Sequence, residues 1–119
     1  AWHAGVSMHQ GRANVNDFSI GVEMDNGGQL KRKGNRFFSS FGREYMPDEV
    51  YTGIENGRAV YWHAYTAEQV EAVIRLCRLL RVHYGIKYLV RHSDITSRKV
   101  DPGPAFPFEE VKKRAGFVY

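Results

Sequence analysis

His92-Ser93-Asp94-Ile95-Thr96-Ser97-Arg98-Lys99-Val100-Asp101-Pro102-Gly103-Pro104 decides how the rest of this chain is read. The residues before it, Ile86-Lys87-Tyr88-Leu89-Val90, read as a short strand, so His92 is expected just past a strand end. Asp101 opens a loop stiffened by Pro102, Pro104 and Pro107. A histidine nitrogen and a carboxylate oxygen form a usual partial ligand set for catalytic zinc, which needs three protein ligands and one open position. Two such ligands, His92 and Asp101, are in view. Lys99 stands between them and could place positive charge near a developing oxyanion. The spacing alone also admits a plain surface histidine and a Lys99–Asp101 loop salt bridge of little energetic worth.

Working outward, the clearest element is a helix over residues 67–83. Thr66 and Gln69 form a capping box, and Gly85 closes the helix as a C-cap glycine. Val70, Val73, Ile74, Cys77 and Leu80 recur at three- and four-residue steps and predict one buried stripe. A second short helix is expected from Phe108 to Arg114. Further upstream, Phe18, Ile20, Val22 and Met24 alternate with Ser19, Gly21 and Glu23, which predicts a strand over 18–24. Glu23 on such a strand would be held rigidly enough to serve as a general base, although it could equally face solvent from a half-buried strand. Residues 1–17 read as loop. Residues 29–63 mix aromatics with Gly and charge and read as a loose excursion containing one hairpin, turned at Asn56-Gly57. This stretch is too aromatic for a disordered linker and is expected to pack on the domain or line a groove.

The chain has 119 residues, enough for one core, with 43% apolar and 25% charged residues. No apolar run reaches the length of a membrane-spanning helix. Cys77 is the only cysteine, and its apolar helical setting predicts a buried, inert thiol. The formal net charge of +4 favours polyanions, either nucleic acid or the carboxylates of bacterial cell wall. The two basic clusters, Lys31-Arg32-Lys33 and Lys112-Lys113-Arg114, are expected to be solvated faces.

Four blocks resemble one family. Trp2-His3-Ala4-Gly5-Val6-Ser7, Asn16-Asp17-Phe18-Ser19-Ile20-Gly21-Val22-Glu23, His92-Ser93-Asp94-Ile95 and Arg98-Lys99-Val100-Asp101-Pro102-Gly103-Pro104-Ala105-Phe106-Pro107 are similar to the N-acetylmuramoyl-L-alanine amidases. These are the zinc enzymes related to T7 lysozyme and the peptidoglycan recognition proteins. The blocks occur in family order across residues 2–107, and Trp62-His63-Ala64-Tyr65-Thr66 resembles phage and prophage members. The resemblance implies an α/β fold with a mixed central β-sheet flanked by helices and a metal site in a groove on one face. It implies zinc held by His92 and Asp101, Glu23 as the catalytic glutamate, and Lys99 as the basic residue beside the metal. It implies hydrolysis of the amide joining N-acetylmuramic acid to L-alanine in peptidoglycan or muropeptides, with Trp2 and His3 contacting substrate. Neither nucleic acid nor a membrane span is expected.

The chain also departs from the family. The remaining zinc ligand is a histidine on an earlier strand, before the Trp-His-Ala-Gly block with which this chain opens. A single amidase domain incomplete at its N-terminus is therefore expected, completed by a preceding segment or a second chain. Thr96-Ser97 is one residue shorter than the usual loop. Arg91 replaces the usual Gly, where a cation would narrow the groove or bind a substrate carboxylate. Two competing readings are a peptidoglycan-binding module without catalysis, separable by indifference to a chelator, and a nucleic-acid binder, separable by salt-dependent DNA binding. The site of action would be the cell wall for a lysin and the cytoplasm for a muropeptide-recycling enzyme.

Overall fold

The computed structural model describes Ala4 and residues 6–118. The predicted contacts of Trp2 and His3 lie outside the described residues. The chain opens on a small antiparallel pair, β1 (Met8–His9) and β2 (Arg12–Ala13), followed by a 3-10 turn at Val15–Asp17. Residues 29–63 then build β3 (Gln29–Lys33), β4 (Arg36–Ser39), β5 (Glu44–Tyr45), β6 (Val50–Glu55) and β7 (Arg58–His63). These form one five-stranded sheet in the order β5-β4-β3-β7-β6, with every pairing antiparallel. Helices α1 (Ala67–Tyr84), α2 (His92–Ile95) and α3 (Phe108–Arg114) follow. The fold class is thus α/β with a central sheet and helices, as the resemblance implies.

The sheet corrects one expectation. The stretch read as a loose excursion supplies all five strands. Its alternation is hidden because Lys, Arg and Gly interrupt the aromatics, and pairing across three hairpin-like connections decides what alternation alone could not. The predicted turn does form: Asn56 and Gly57 both have positive φ, of 52° and 76°, the pattern of a tight hairpin turn.

Two predicted strands do not form ladders. Residues 18–24 and 86–90 carry no strand assignment. The alternation at Phe18 to Met24 supplies a face, but a strand also needs a neighbour for its N–H and C=O groups, and none pairs with it among the described residues. Ile20 is 50% exposed, and Val22 and Val90 are also exposed.

The main helix behaves as expected. The Thr66 hydroxyl accepts from the Gln69 N–H at 3.0 Å, the Gln69 side chain accepts from the Thr66 N–H at 3.1 Å, and Gly85 closes the helix in the left-handed region. Its buried stripe is Val70, Ile74 and Cys77. Val70 and Ile74 pack with Phe106 and Val111, with Met24, Tyr65 and Leu89 at the margin. Cys77 packs with Ala115 and Phe117, and burial pushes its thiol pKa up. The core therefore sits between α1, α3 and the extended segments. The sheet buries Leu30, Tyr45 and Trp62 outside these two clusters. Arg78 and Arg81 hold the end of α3 by donating to the carbonyls of Arg114 and Ala115 at 2.6 and 3.0 Å.

Candidate active site

Residues 19–24 and 89–92 frame a cavity of about 380 Å³. Glu23, Arg91, His92 and Asp101 line it, together with Trp62 and Tyr65 from the sheet side. Four of the sequence-predicted site residues, Glu23, Arg91, His92 and Asp101, therefore share one cavity. Lys99 is exposed on the loop leading to Asp101 and does not line it.

His92 opens the one-turn helix α2, not the end of a laddered strand. The turn forms because the Asp94 carboxylate accepts from the Arg91 N–H at 2.9 Å. The Ser93 N–H donates to the Asp101 carbonyl at 3.2 Å, which ties the two ends of the 92–101 loop together. This clasp brings His92 Nδ1 to 3.0 Å from Asp101 Oδ2, across nine residues of sequence. The other ring nitrogen, Nε2, lies 3.3 Å from the Ala4 carbonyl oxygen.

These contacts test whether a metal suits the site. A ring protonated at Nε2 would donate to the Ala4 carbonyl, the usual arrangement behind a metal-bound histidine, whereas one protonated at Nδ1 would donate to the Asp101 carboxylate. In the first case the Nδ1 lone pair and the Asp101 oxygen face each other as two potential ligands of one cation. Ligands about 2.0–2.2 Å from a shared tetrahedral zinc would stand roughly 3.4 Å apart, close to the observed separation. The donor set fits zinc as two of its ligands. No group of three His, Cys, Asp or Glu side chains able to hold a metal comes together among the described residues.

This loop is supported by Trp62 on β7 and by Tyr65 just after it, both within the Trp62-His63-Ala64-Tyr65-Thr66 block. The Tyr65 hydroxyl donates to the Pro102 carbonyl at 2.8 Å, and its ring meets Phe106 edge-on at 5.1 Å. Burial, and secondarily the charge of Asp101, raises the Tyr65 pKa and keeps it a donor. Trp62 is 7% exposed and lies flat enough against Gly103 that a Cβ there would come 2.6 Å from the ring. Gly103 also has φ +78°, so the Pro-Gly-Pro sequence answers to both a backbone and a packing demand. The signal for this pairing was the glycine between two prolines, but nothing in the sequence names its partner.

The Glu23 segment is tethered similarly. The Gly27 N–H donates to His63 Nδ1 at 2.8 Å, and Asn26 donates to the His63 carbonyl at 3.0 Å. Gln69 at the head of α1 donates to the Asp25 carbonyl at 2.7 Å. Arg91 points its guanidinium at Asp94, with contacts of 2.9 to 3.2 Å, and lies 4.8 Å over the Phe108 ring. The Asp94 hydrogen bonds and charge raise the Arg91 pKa, so Arg91 is a fixed cation on the cavity rim.

Comparison with known proteins agrees with the motif reading. The sequence profile of the N-acetylmuramoyl-L-alanine amidase family matches residues 1–104. The chain is 32% identical over 117 residues to N-acetylmuramoyl-L-alanine amidase AmiD of Escherichia coli, covering 96% of this chain and 34% of that protein. It is 29% identical over 110 residues to 1,6-anhydro-N-acetylmuramyl-L-alanine amidase AmpD of Haemophilus influenzae, covering 92% of this chain and 44% of the relative. A 25-residue stretch is 72% identical to AmpD of Enterobacter cloacae. The chain thus spans about a third of the first of these relatives and under half of the second. With the profile covering most of its length, the chain belongs to the N-acetylmuramoyl-L-alanine amidase family.

Proposed function

We propose that this chain carries the catalytic groups of a zinc-dependent N-acetylmuramoyl-L-alanine amidase, which hydrolyses the amide between N-acetylmuramic acid and L-alanine in peptidoglycan or muropeptides. The observation that carries the reading is the His92–Asp101 pair, 3.0 Å apart on a cavity that Glu23 also lines. Family membership supplies the reaction class.

His92 and Asp101 would hold the zinc ion, with a further ligand from outside the described residues. Bound zinc supplies Lewis acidity for the substrate carbonyl and lowers the pKa of water to about 7. Glu23 takes the proton of the attacking water as hydroxide adds to the carbonyl carbon. The C–N bond then breaks, and Glu23 returns that proton to the departing alanine nitrogen. Lys99, on the loop that leads to Asp101, is the cation that the family resemblance assigns to offsetting the oxyanion charge. Arg91 would bind a carboxylate of the stem peptide, and the family resemblance assigns substrate contact to Trp2 and His3.

Zinc-loaded protein should release peptide with a free L-alanine N-terminus from muropeptide, and a chelator should stop the release. Glu23→Gln should lower kcat by about 10²–10⁴-fold with the melting temperature unchanged. Uncut muropeptide in the presence of folded, metal-loaded protein would overturn the proposal. Binding without cleavage, indifferent to chelator, would replace it with a non-catalytic peptidoglycan-binding module. Release from intact sacculi would mark a wall-cutting enzyme, and release from soluble muropeptides alone a recycling one.

A further inference from the structure

The cations of this chain are unevenly placed. Between residues 29 and 45 five of them, Lys31, Arg32, Lys33, Arg36 and Arg43, face a single carboxylate, Glu44. The remaining twelve cations are matched by twelve carboxylates, so the β3–β4–β5 ribbon carries the whole formal net charge of +4.

Strand register sorts these charges onto faces. Lys31 stands opposite Phe38, Lys33 opposite Arg36, and Phe38 opposite Glu44, so these residues share one face of the ribbon. Arg32 lies on the other face opposite Phe37, where it donates to the Gly34 carbonyl and the Tyr61 hydroxyl. Arg36 is engaged by Glu44. Lys31 and Lys33 make no ion pair among the described residues. The Lys33 ammonium lies 5.7 Å from the Phe38 ring centre and the Arg36 guanidinium 5.2 Å, so an aromatic plate is set among cations.

This face leads to the candidate active site. Gln29, on the same face, pairs with Trp62, the residue packed on Gly103 two positions from Asp101. At roughly 3.3 Å per residue, Lys31 and Lys33 stand about 7 and 13 Å along β3 from that pair. A stripe of unpaired cations leading from a cavity suits a repeating polyanion whose reacting unit occupies the cavity.

We propose that the Lys31–Lys33–Phe38 face holds the carboxylates of stem peptides neighbouring the one being cut, and so keeps the protein on polymeric peptidoglycan. This rests on the amidase reading for the identity of the polymer. Two point charges at exposed positions give modest, salt-sensitive attraction, suited to movement along a polymer more than to tight capture.

The test is co-sedimentation of the protein with purified sacculi freed of other covalently attached polymers. K31Q/K33Q should weaken retention roughly tenfold at low ionic strength, and about 0.15 M salt should remove most of the difference. Sacculi whose carboxylates have been amidated with carbodiimide should retain wild type and K31Q/K33Q alike. K112Q/K113Q, at the other basic cluster, should retain normally. Cleavage of a soluble muropeptide should be the same for wild type and K31Q/K33Q. If no amidase activity is found but retention still depends on Lys31, Lys33 and wall carboxylates, only the proposed reaction fails. Equal retention of K31Q/K33Q and wild type by untreated sacculi overturns the surface proposal, as does loss through K112Q/K113Q alone. DNA that binds the Lys31–Lys33 face more tightly than sacculi do would overturn it in favour of a nucleic-acid surface.

Discussion

In the five-stranded sheet, each strand between Gln29 and His63 takes its hydrogen bonds from another strand of the same stretch. Residues 18–28 and 86–107, which frame the cavity, carry no strand ladder. They are held by hooks thrown across the chain, including Gly27 to His63, Asn26 to the His63 carbonyl, Asp25 to Gln69, Pro102 to Tyr65 and Gly103 to Trp62. Most of these hooks end on β7 or on the few residues that follow it. Three hairpins of near neighbours are closed into one sheet by the β3–β7 pairing, while the candidate site is held by contacts to that sheet and to helix α1. Loops placed on a rigid scaffold are the common home of catalytic groups, and here the scaffold is identifiable residue by residue.

Trp62→Ala is the substitution with the largest expected effect on this arrangement. It removes a buried indole that joins the two regions and should cost about 3–5 kcal/mol, visible as a lower midpoint of denaturant unfolding. Muropeptide cleavage should fall with it. A variant that lost stability but kept full cleavage would show that the Asp101 loop does not lean on the sheet.

Gly103→Ala sharpens the comparison. It places a side chain at φ +78° against the Trp62 ring and should cost about 1–3 kcal/mol. The loss should concentrate in the Asp101 loop, leaving hydrogen-exchange protection in the β6–β7 ladder close to wild type. Equal deprotection of that ladder by both variants would mean that the two regions unfold as one.

The smallest effect concerns pH. Burial, the main cause, holds the His63 imidazole below its ordinary value of 6.5, with Arg43 acting in the same direction and Glu49 and Asp25 opposing. The unfolded chain therefore binds this proton more readily than the folded one. The stability it contributes is full above about pH 6.5 and is lost as pH falls through the lower folded value. Protonation would also remove the lone pair that accepts from Gly27. Exchange at Gly27 should rise in mild acid before exchange in the ladder does, and His63→Gln should flatten that response. An unchanged Gly27 amide between pH 7.5 and 5 would remove His63 as the tether.

How much was legible follows the range of the interactions. The Thr66–Gln69 capping box, the Val70-Ile74-Cys77 stripe, the Gly85 cap and the Asn56-Gly57 turn are set by residues within a turn or two of each other, and each appears as read. Glu23, His92 and Asp101 were singled out by motif resemblance, since their spacing alone also fits an ordinary surface histidine and carboxylate, and the fold brings the three to one cavity. The strand over 18–24 was misread, because alternation reports a face while a ladder depends on a partner. Residues 29–63 were misread in the opposite sense, because pairing made a sheet from strands with weak individual patterns.

The amino-acid sequence by itself determined the family and the extents of the two longer helices, since these rest on motif order and on local side-chain chemistry. Only the tertiary structure decided that Ser93 and Asp101 clasp, that His92 turns one nitrogen to Ala4 and the other to Asp101, and that Trp62 and Gly103 meet. Those contacts join residues between 8 and 88 positions apart, and a hydrogen bond or a packed ring exists only where the folded backbone brings its two halves within a few ångströms.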